Sequence, residues 1–410
     1  MSNAPLHATD LSASQTRVVS GMRPTGLMHL GHYHGAIKNW IDLQHRIPCY
    51  FFVADWHALT THYEDPSVLA SSTWDMVVDW LAAGIDPEKT TIFIQSRIPE
   101  HAELHTLLSM STPLSWLERV PTYKDQQEKL KDKDLSTYGF LGYPLLQAAD
   151  VLIYRATTVP VGEDQAPHVE MMREIARRFN HLYGKEKGFE EKVEAAIKAL
   201  GSDKARRYKQ VRKYYQETGK AEALIEGRNI VAESNLTDDD KARLLGYLEG
   251  SGKAILVEPA VSLTKDSKLP GLDGAKMSKS YNNTIALRET PADIESKILR
   301  MPTDPARKLR SDAGNPERCP VWQFHLVYSD SATQDWAKQG CVTAGIGCVD
   351  CKRPVIKAVQ TELAPMRERA VQFVANPKRV RDIVEAGCDT ARALAQKTMV
   401  DVRQAMGLFQ

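Results

Sequence analysis

Over the first quarter of the chain, short apolar runs alternate with amphipathic stretches. Val18-Val19-Ser20 reads as a strand, a Gly/Pro turn and a helix follow to about Gln44, and Cys49-Tyr50-Phe51-Phe52-Val53-Ala54 reads as a second strand. Apolar positions then recur at helical spacing from about Pro66 to Ala83, ahead of a third strand at Thr91-Ile92-Phe93-Ile94-Gln95. This succession predicts an α/β fold, a parallel sheet with helices on both faces. Ligands of such sheets bind beyond the carboxyl ends of the strands, where the strand order switches. Ser20-Gly21 and Asp55-Trp56-His57 fall just past strand ends.

Residues 101–182 read mainly as helices, broken by Lys129-Leu130-Lys131-Asp132-Lys133-Asp134, whose alternating charges suit a solvated surface. Lys124, just before that connector, stands within reach of a bound nucleotide. From about Lys185 to Ser251 the chain is highly charged and helical, with glycine breaks. Basic clusters there interleave aromatics, as in Arg212-Lys213-Tyr214-Tyr215, which suits an RNA backbone. The acidic run Asp238-Asp239-Asp240 does not, and a solvated helical face is the reading taken. Thr290-Pro291-Ala292-Asp293 starts a helix, Met301-Pro302 stops it, and amphipathic stretches continue to the C-terminus. The expected organisation is a flexible tail (1–16), a Rossmann-type catalytic domain (17–184), a charged helical insertion (185–251), the end of the catalytic domain (252–288) and a helical domain (289–410).

Composition narrows the class. A chain of 410 residues that is 42% hydrophobic can bury a sizeable core. Its 53 basic and 52 acidic residues nearly cancel, so nucleic-acid contact would come from local patches. No apolar run approaches the roughly 20 residues that span a bilayer. The N-terminus has no basic segment followed by an apolar core. A cytoplasmic location is expected.

Two segments carry candidate chemistry. Lys276-Met277-Ser278-Lys279-Ser280 follows Gly271 and Gly274 and places two lysines three apart on a flexible loop, a pair of point charges that can close on a polyphosphate. Gly-x-x-x-x-Gly-Lys-Ser/Thr is missing from the chain, so side chains rather than a backbone nest would grip the phosphates. Upstream, Arg23-Pro24-Thr25-Gly26 leads into His29-Leu30-Gly31-His32-Tyr33-His34-Gly35. Gly31 and Gly35, four apart on one helix face, would let a flat base lie against the backbone. His29 and His32, three apart, could donate to phosphoryl oxygens as charge develops.

In this order and this far apart, the two segments resemble the signature motifs of class I aminoacyl-tRNA synthetases. Tyr143-Pro144-Leu145-Leu146-Gln147-Ala148-Ala149-Asp150 and Val159-Pro160-Val161-Gly162-Glu163-Asp164-Gln165 resemble the amino-acid pocket of the bacterial tryptophanyl-tRNA synthetases. The likeness runs from about residue 17 to the C-terminus, with 185–251 as an insertion. It implies activation of L-tryptophan by ATP and Mg2+, transfer to tRNA(Trp), a homodimer and anticodon binding by the helical domain. It assigns catalytic phosphate contacts to Lys276, Ser278, Lys279, His29 and His32, with Arg23, Pro24, Thr25, Gly31, Gly35, Gly162, Glu163, Asp164, Met277 and Ser280 around the nucleotide. Asp150 would accept the indole N–H, Tyr143 and Gln165 would hold the amino and carboxylate ends, and His57, Gln147, Val159 and Val161 would form the walls. Two residues depart from the pattern. Gln147 stands where methionine is frequent, and Arg23 stands where glutamine is familiar, bringing an extra cation toward the ATP phosphates. The near alternative is tyrosine activation; from another class comes a synthetase-like protein that binds tRNA or tryptophan without charging.

Four of six cysteines, Cys319, Cys341, Cys348 and Cys351, form C-x21-C-x6-C-x2-C. In a cytosolic chain four such thiols suit one metal centre, and both zinc and a cubane iron–sulfur cluster accept them. The resemblance to a subset of bacterial tryptophanyl-tRNA synthetases implies [4Fe-4S]. Arg318, Lys352 and Arg353 flank the site, so anticodon contact is expected there, while Cys49 and Cys388 read as ordinary thiols.

Overall fold

The computed structural model describes residues 16–120, 135–162, 165–263 and 269–408. Five short strands, β1 (Val18–Met22), β2 (Cys49–Val53), β3 (Thr90–Ile94), β4 (Thr158–Val161) and β5 (Ala260–Leu263), form one sheet in the order β3-β2-β1-β4-β5, with every pairing parallel. Val18, Phe51, Val53 and Phe93 are buried, the apolar content a sheet covered on both faces requires. Strand order switches between β1 and β4. β1 pairs with β2 along all five residues, but it meets β4 at Val18–Thr158 alone. Pairing stops there, which leaves a crevice between the carboxyl ends of β1 and β4.

The helix Ser67–Ala83 covers one face with Met76, Val77 and Trp80. Trp40 stacks on Phe51 at 4.2 Å between ring centroids and meets Trp80 edge-on at 5.3 Å. The helix expected after the Gly/Pro turn is not uniform. Residues Leu30–His32 are α-helical, Tyr33–Ile37 form a π-helical turn, and Lys38–Leu43 resume the α-helix. Such turns are frequent at functional sites.

Four helices, Phe189–Ala199, Ser202–Thr218, Ala221–Ala232 and Asp238–Leu248, enclose a second core around Val193, Tyr208, Val231 and Leu244. Cations on Ser202–Thr218 are engaged by local carboxylates: Arg207 with Glu226 at 2.6 Å and Lys209 with Glu194 at 3.4 Å. Such exposed pairs contribute about 0–1 kcal/mol each and describe a solvated face.

Beyond Thr290, which caps its helix by accepting from the Asp293 N–H at 3.1 Å, the chain is helical. The long helices Cys348–Ala375 and Pro377–Ala405 return to the sheet and share its core. Among the described residues, no helix is long and apolar enough to cross a membrane.

Candidate active site

The two signature segments are zipped together. Leu30 N–H donates to the Ile285 carbonyl and Leu287 N–H to the Met28 carbonyl, both at 3.0 Å, around an antiparallel bridge between His29 and Ala286. Met277, only 5% exposed, plugs the lysine loop onto the turn, and Gly31 N–H points at its sulfur at 3.2 Å. Asn283 braces the loop from behind, accepting from Ser278 N–H at 2.8 Å and donating to the Lys276 carbonyl at 3.1 Å. Lys279 Nζ donates to the Thr25 carbonyl at 3.2 Å. It lies over Gly26, whose φ of +109° suits glycine and where a Cβ would stand 3.0 Å from Nζ. Pro24 is buried beside this turn, Lys276 is exposed, and Ser280 lies in the short turn Lys279–Tyr281.

Gly31 differs from expectation. A Cβ there would stand 3.1 Å from Met277 Cβ, so the loop already covers that face, whereas nothing lies within 4 Å at Gly35. Of the two glycines, only Gly35 leaves room for a flat base.

Burial sets the charge state of this end. The His29 and His32 rings stack with centroids 3.7 Å apart. Burial pushes His29 down to about 4, helped by the Lys279 charge, and lowers His32 well below its ordinary value, helped by His29 and the two lysines. Both imidazoles are therefore neutral at neutral pH, each with one N–H to donate. Lys279 is pushed down to about 8 by burial, with the Asp79 carboxylate opposing the shift. A partly desolvated cation attracts an anion more strongly than one in water.

The other side of the crevice is dry. Asp150 is fully buried at the back of the helix Tyr138–Leu152. Gln95 Nε2 donates to both its oxygens, at 2.7 and 2.8 Å, and His101 Nδ1 lies 2.6 Å from Oδ1. His101 Nε2 is in turn 2.5 Å from the Tyr154 hydroxyl. Neither Gln95 nor His101 is among the expected residues. Gln95 ends the third apolar run, where the strand-end rule points; nothing in its local pattern marks His101.

The His57 ring faces Tyr143 at 5.2 Å between rings, and the His57 backbone N–H donates to Gln95 Oε1 at 3.2 Å. Burial takes His57 down to about 3, with Arg23 and His168 adding to the shift. Arg23 interacts electrostatically with Tyr143 and His57. Val159 is buried, and Val161, Gln147, Gly162 and Gln165 are half-buried around the same crevice. Gln165 N–H donates to the Gly162 carbonyl at 3.0 Å. Glu163, Asp164 and Lys124 lie outside the described residues.

The four cysteines come from three helical segments. Cys319 precedes Pro320–Tyr328, Cys341 lies near the end of Ser331–Val342, and Cys348 and Cys351 open Cys348–Ala375. Burial, with the other three thiols beside it, pushes Cys351 up to about 12. A Cβ at Gly314 would stand 2.6 Å from Cys341 Sγ, so the wall here closes tightly on sulfur. Among the described residues, no three Cys, His, Asp or Glu side chains converge as ligands of one metal ion. One of the three flanking cations also differs from expectation. Lys352 is turned inward, its ammonium donating to the Leu299 and Met301 carbonyls at 2.7 Å each, and is not free for RNA.

Phosphate donors at one end and a buried carboxylate paired with Gln95 and His101 at the other are the layout of an enzyme that activates a small substrate with a nucleotide. Comparison with known proteins narrows the class. The model of the tRNA synthetases class I (W and Y) matches residues 11–204 and 227–364. A Ralstonia nicotianae tryptophan–tRNA ligase is 62% identical over 96% of this chain and 98% of its own length. The corresponding Thermotoga maritima ligase is 45% identical over 96% and 99%. A Campylobacter jejuni tryptophanyl-tRNA synthetase, solved with ADP and tryptophan, superposes with a TM-score of 0.70 at 26% identity, covering 96% of this chain and all of its own. The chain belongs to the class I tRNA synthetases of the tryptophan and tyrosine group.

Proposed function

We infer that this chain is a tryptophan–tRNA ligase: it activates L-tryptophan with ATP and transfers the aminoacyl group to tRNA(Trp). The observation that carries the choice of amino acid is Asp150, an acceptor-only group that is fully buried and held by Gln95 and His101. Indole has one N–H donor and no acceptor, so a fixed buried carboxylate suits it and rejects an unsubstituted ring.

In the first step the tryptophan carboxylate oxygen bonds to the α-phosphorus as the bond to the β-phosphate oxygen breaks and pyrophosphate leaves with the electron pair. No protein nucleophile is required. Lys276 and Lys279 offset charge on the leaving group, Ser278 donates its hydroxyl, and neutral His29 and His32 each donate one N–H. Positioning and electrostatics supply the acceleration. Mg2+ would enter with ATP and supply charge neutralisation on its phosphates. Residues Tyr143 and Gln165 hold the amino-acid head, and Arg23 brings an extra cation toward the ATP phosphates. A cytoplasmic homodimer is the assembly carried by this reading.

Cys319, Cys341, Cys348 and Cys351 would hold a [4Fe-4S] cluster. Support comes from the electrostatic interaction of Cys351 with the other three thiols and from the close wall at Gly314. Such a cluster would cross-link three segments through thiolates.

The test is ATP–pyrophosphate exchange on anaerobically purified protein with tryptophan and tyrosine side by side, together with iron and sulfide analysis. Exchange with tryptophan alone is the expected outcome. Exchange with tyrosine overturns the pocket assignment, an absence of exchange favours a binding protein, and an active enzyme holding zinc removes the cluster.

A further inference from the structure

Asp79 is a buried carboxylate that touches both signature segments. It lies on the helix Ser67–Ala83 and is 1% exposed. Its Oδ2 accepts the N–H of Met28, the residue before His29, at 3.1 Å. Its Oδ1 lies 2.7 Å from Nε of Arg288, and Arg288 Nη2 donates to Asp75 Oδ1 at 2.6 Å, one turn earlier on the same helix. Arg288 directly follows Ile285–Leu287, the stretch zipped onto Met28–Leu30. One helix thus grips both halves of the clamp. The same carboxylate acts on the Lys279 ammonium, favouring its charged form against burial. A charge buried this deeply is costly unless paired, and an apolar side chain would serve as well for packing alone.

We propose that Asp79, together with Arg288, is a positioning residue for adenylate formation: it fixes the separation between the His29–His32 turn and the Lys276–Lys279 loop across which the ATP phosphates are held. Neither residue touches the substrate. Both act through backbone placement, and a misplacement of about 1 Å at such a site lowers rate by about 100-fold. The proposal rests on the adenylate-forming function above.

The experiment uses full-length Asp79→Asn, Arg288→Gln and the double variant in tryptophan-dependent ATP–pyrophosphate exchange, with melting temperature measured on the same samples. Asparagine keeps the shape and an acceptor for Met28 N–H while removing the charge. Each single variant is expected to lose about 10- to 100-fold in kcat and to keep the wild-type KM for tryptophan. The double variant is expected to lose no more than the worse single one, because the two side chains act as a unit. Wild-type exchange in the same assay keeps the two readings apart: an inactive wild type defeats the function, not the placement. An active wild type with variants that melt earlier yet keep kcat and KM for ATP overturns the role of Asp79. Should Asp79→Asn fail to fold, Arg288→Gln, whose side chain is 22% exposed, decides by the same outcomes.

Discussion

At the amino-acid end of the crevice, Asp150, Gln95, His101 and Tyr154 form a closed hydrogen-bonded chain inside the core; at the phosphate end, Lys276, Ser278 and Lys279 reach the His29–His32 turn from a distant part of the sequence and are held by backbone bonds. The difference follows from the task. An end that must choose one side chain works by pairing its polar atoms in advance, so that a wrong substrate leaves them unpaired. An end that must receive a polyanion keeps donors and cations ready and partly dry.

The sharpest way to break this contrast is Asp150→Ala. Tryptophan-dependent exchange is expected to fall by about 1,000-fold or more, the scale seen when a site built for one hydrogen bond loses it, while KM for ATP holds. Wild-type exchange in that variant would take Asp150 out of recognition. Next comes Lys279→Ala, expected to lower kcat by about 100- to 1,000-fold with little change in melting temperature, since the side chain spans a crevice rather than a core. A variant with the wild-type rate would show that Lys276 suffices.

A smaller effect separates the ends by pH. Lys279 is lowered to about 8, so its ammonium is present below that pH and lost above it. In the free enzyme, kcat/KM for ATP should fall with a slope approaching tenfold per pH unit above about 8. KM for tryptophan should not share that break, and a common break would mean the two ends titrate together. The smallest effect on exchange is expected from Cys351→Ser, which should lose iron and sulfide and melt earlier while adenylate formation stays close to wild type. Collapse of exchange would make the cysteine site part of the phosphate end, which it approaches where a Cβ at Gly274 would stand 3.0 Å from Pro320.

Much of this was legible from local pattern. The apolar runs and their spacing determined β1, β2 and β3, the helix Ser67–Ala83 and the Thr290 cap, because period and capping are properties of a few consecutive residues. The residue types of the two signature segments determined the kind of chemistry. Strands β4 and β5, four residues each, are too short to show a period, and they appear only where β1 and β4 give them edges to pair with.

Tertiary structure decided what each polar group does. It turned Lys352 inward onto two carbonyls, closed Gly31 with Met277, and recruited Gln95, His101 and Asp79. Whether a charge is paired, dry or free depends on desolvation and on atoms contributed by distant segments, and the residues on either side of it in the chain carry no record of those neighbours.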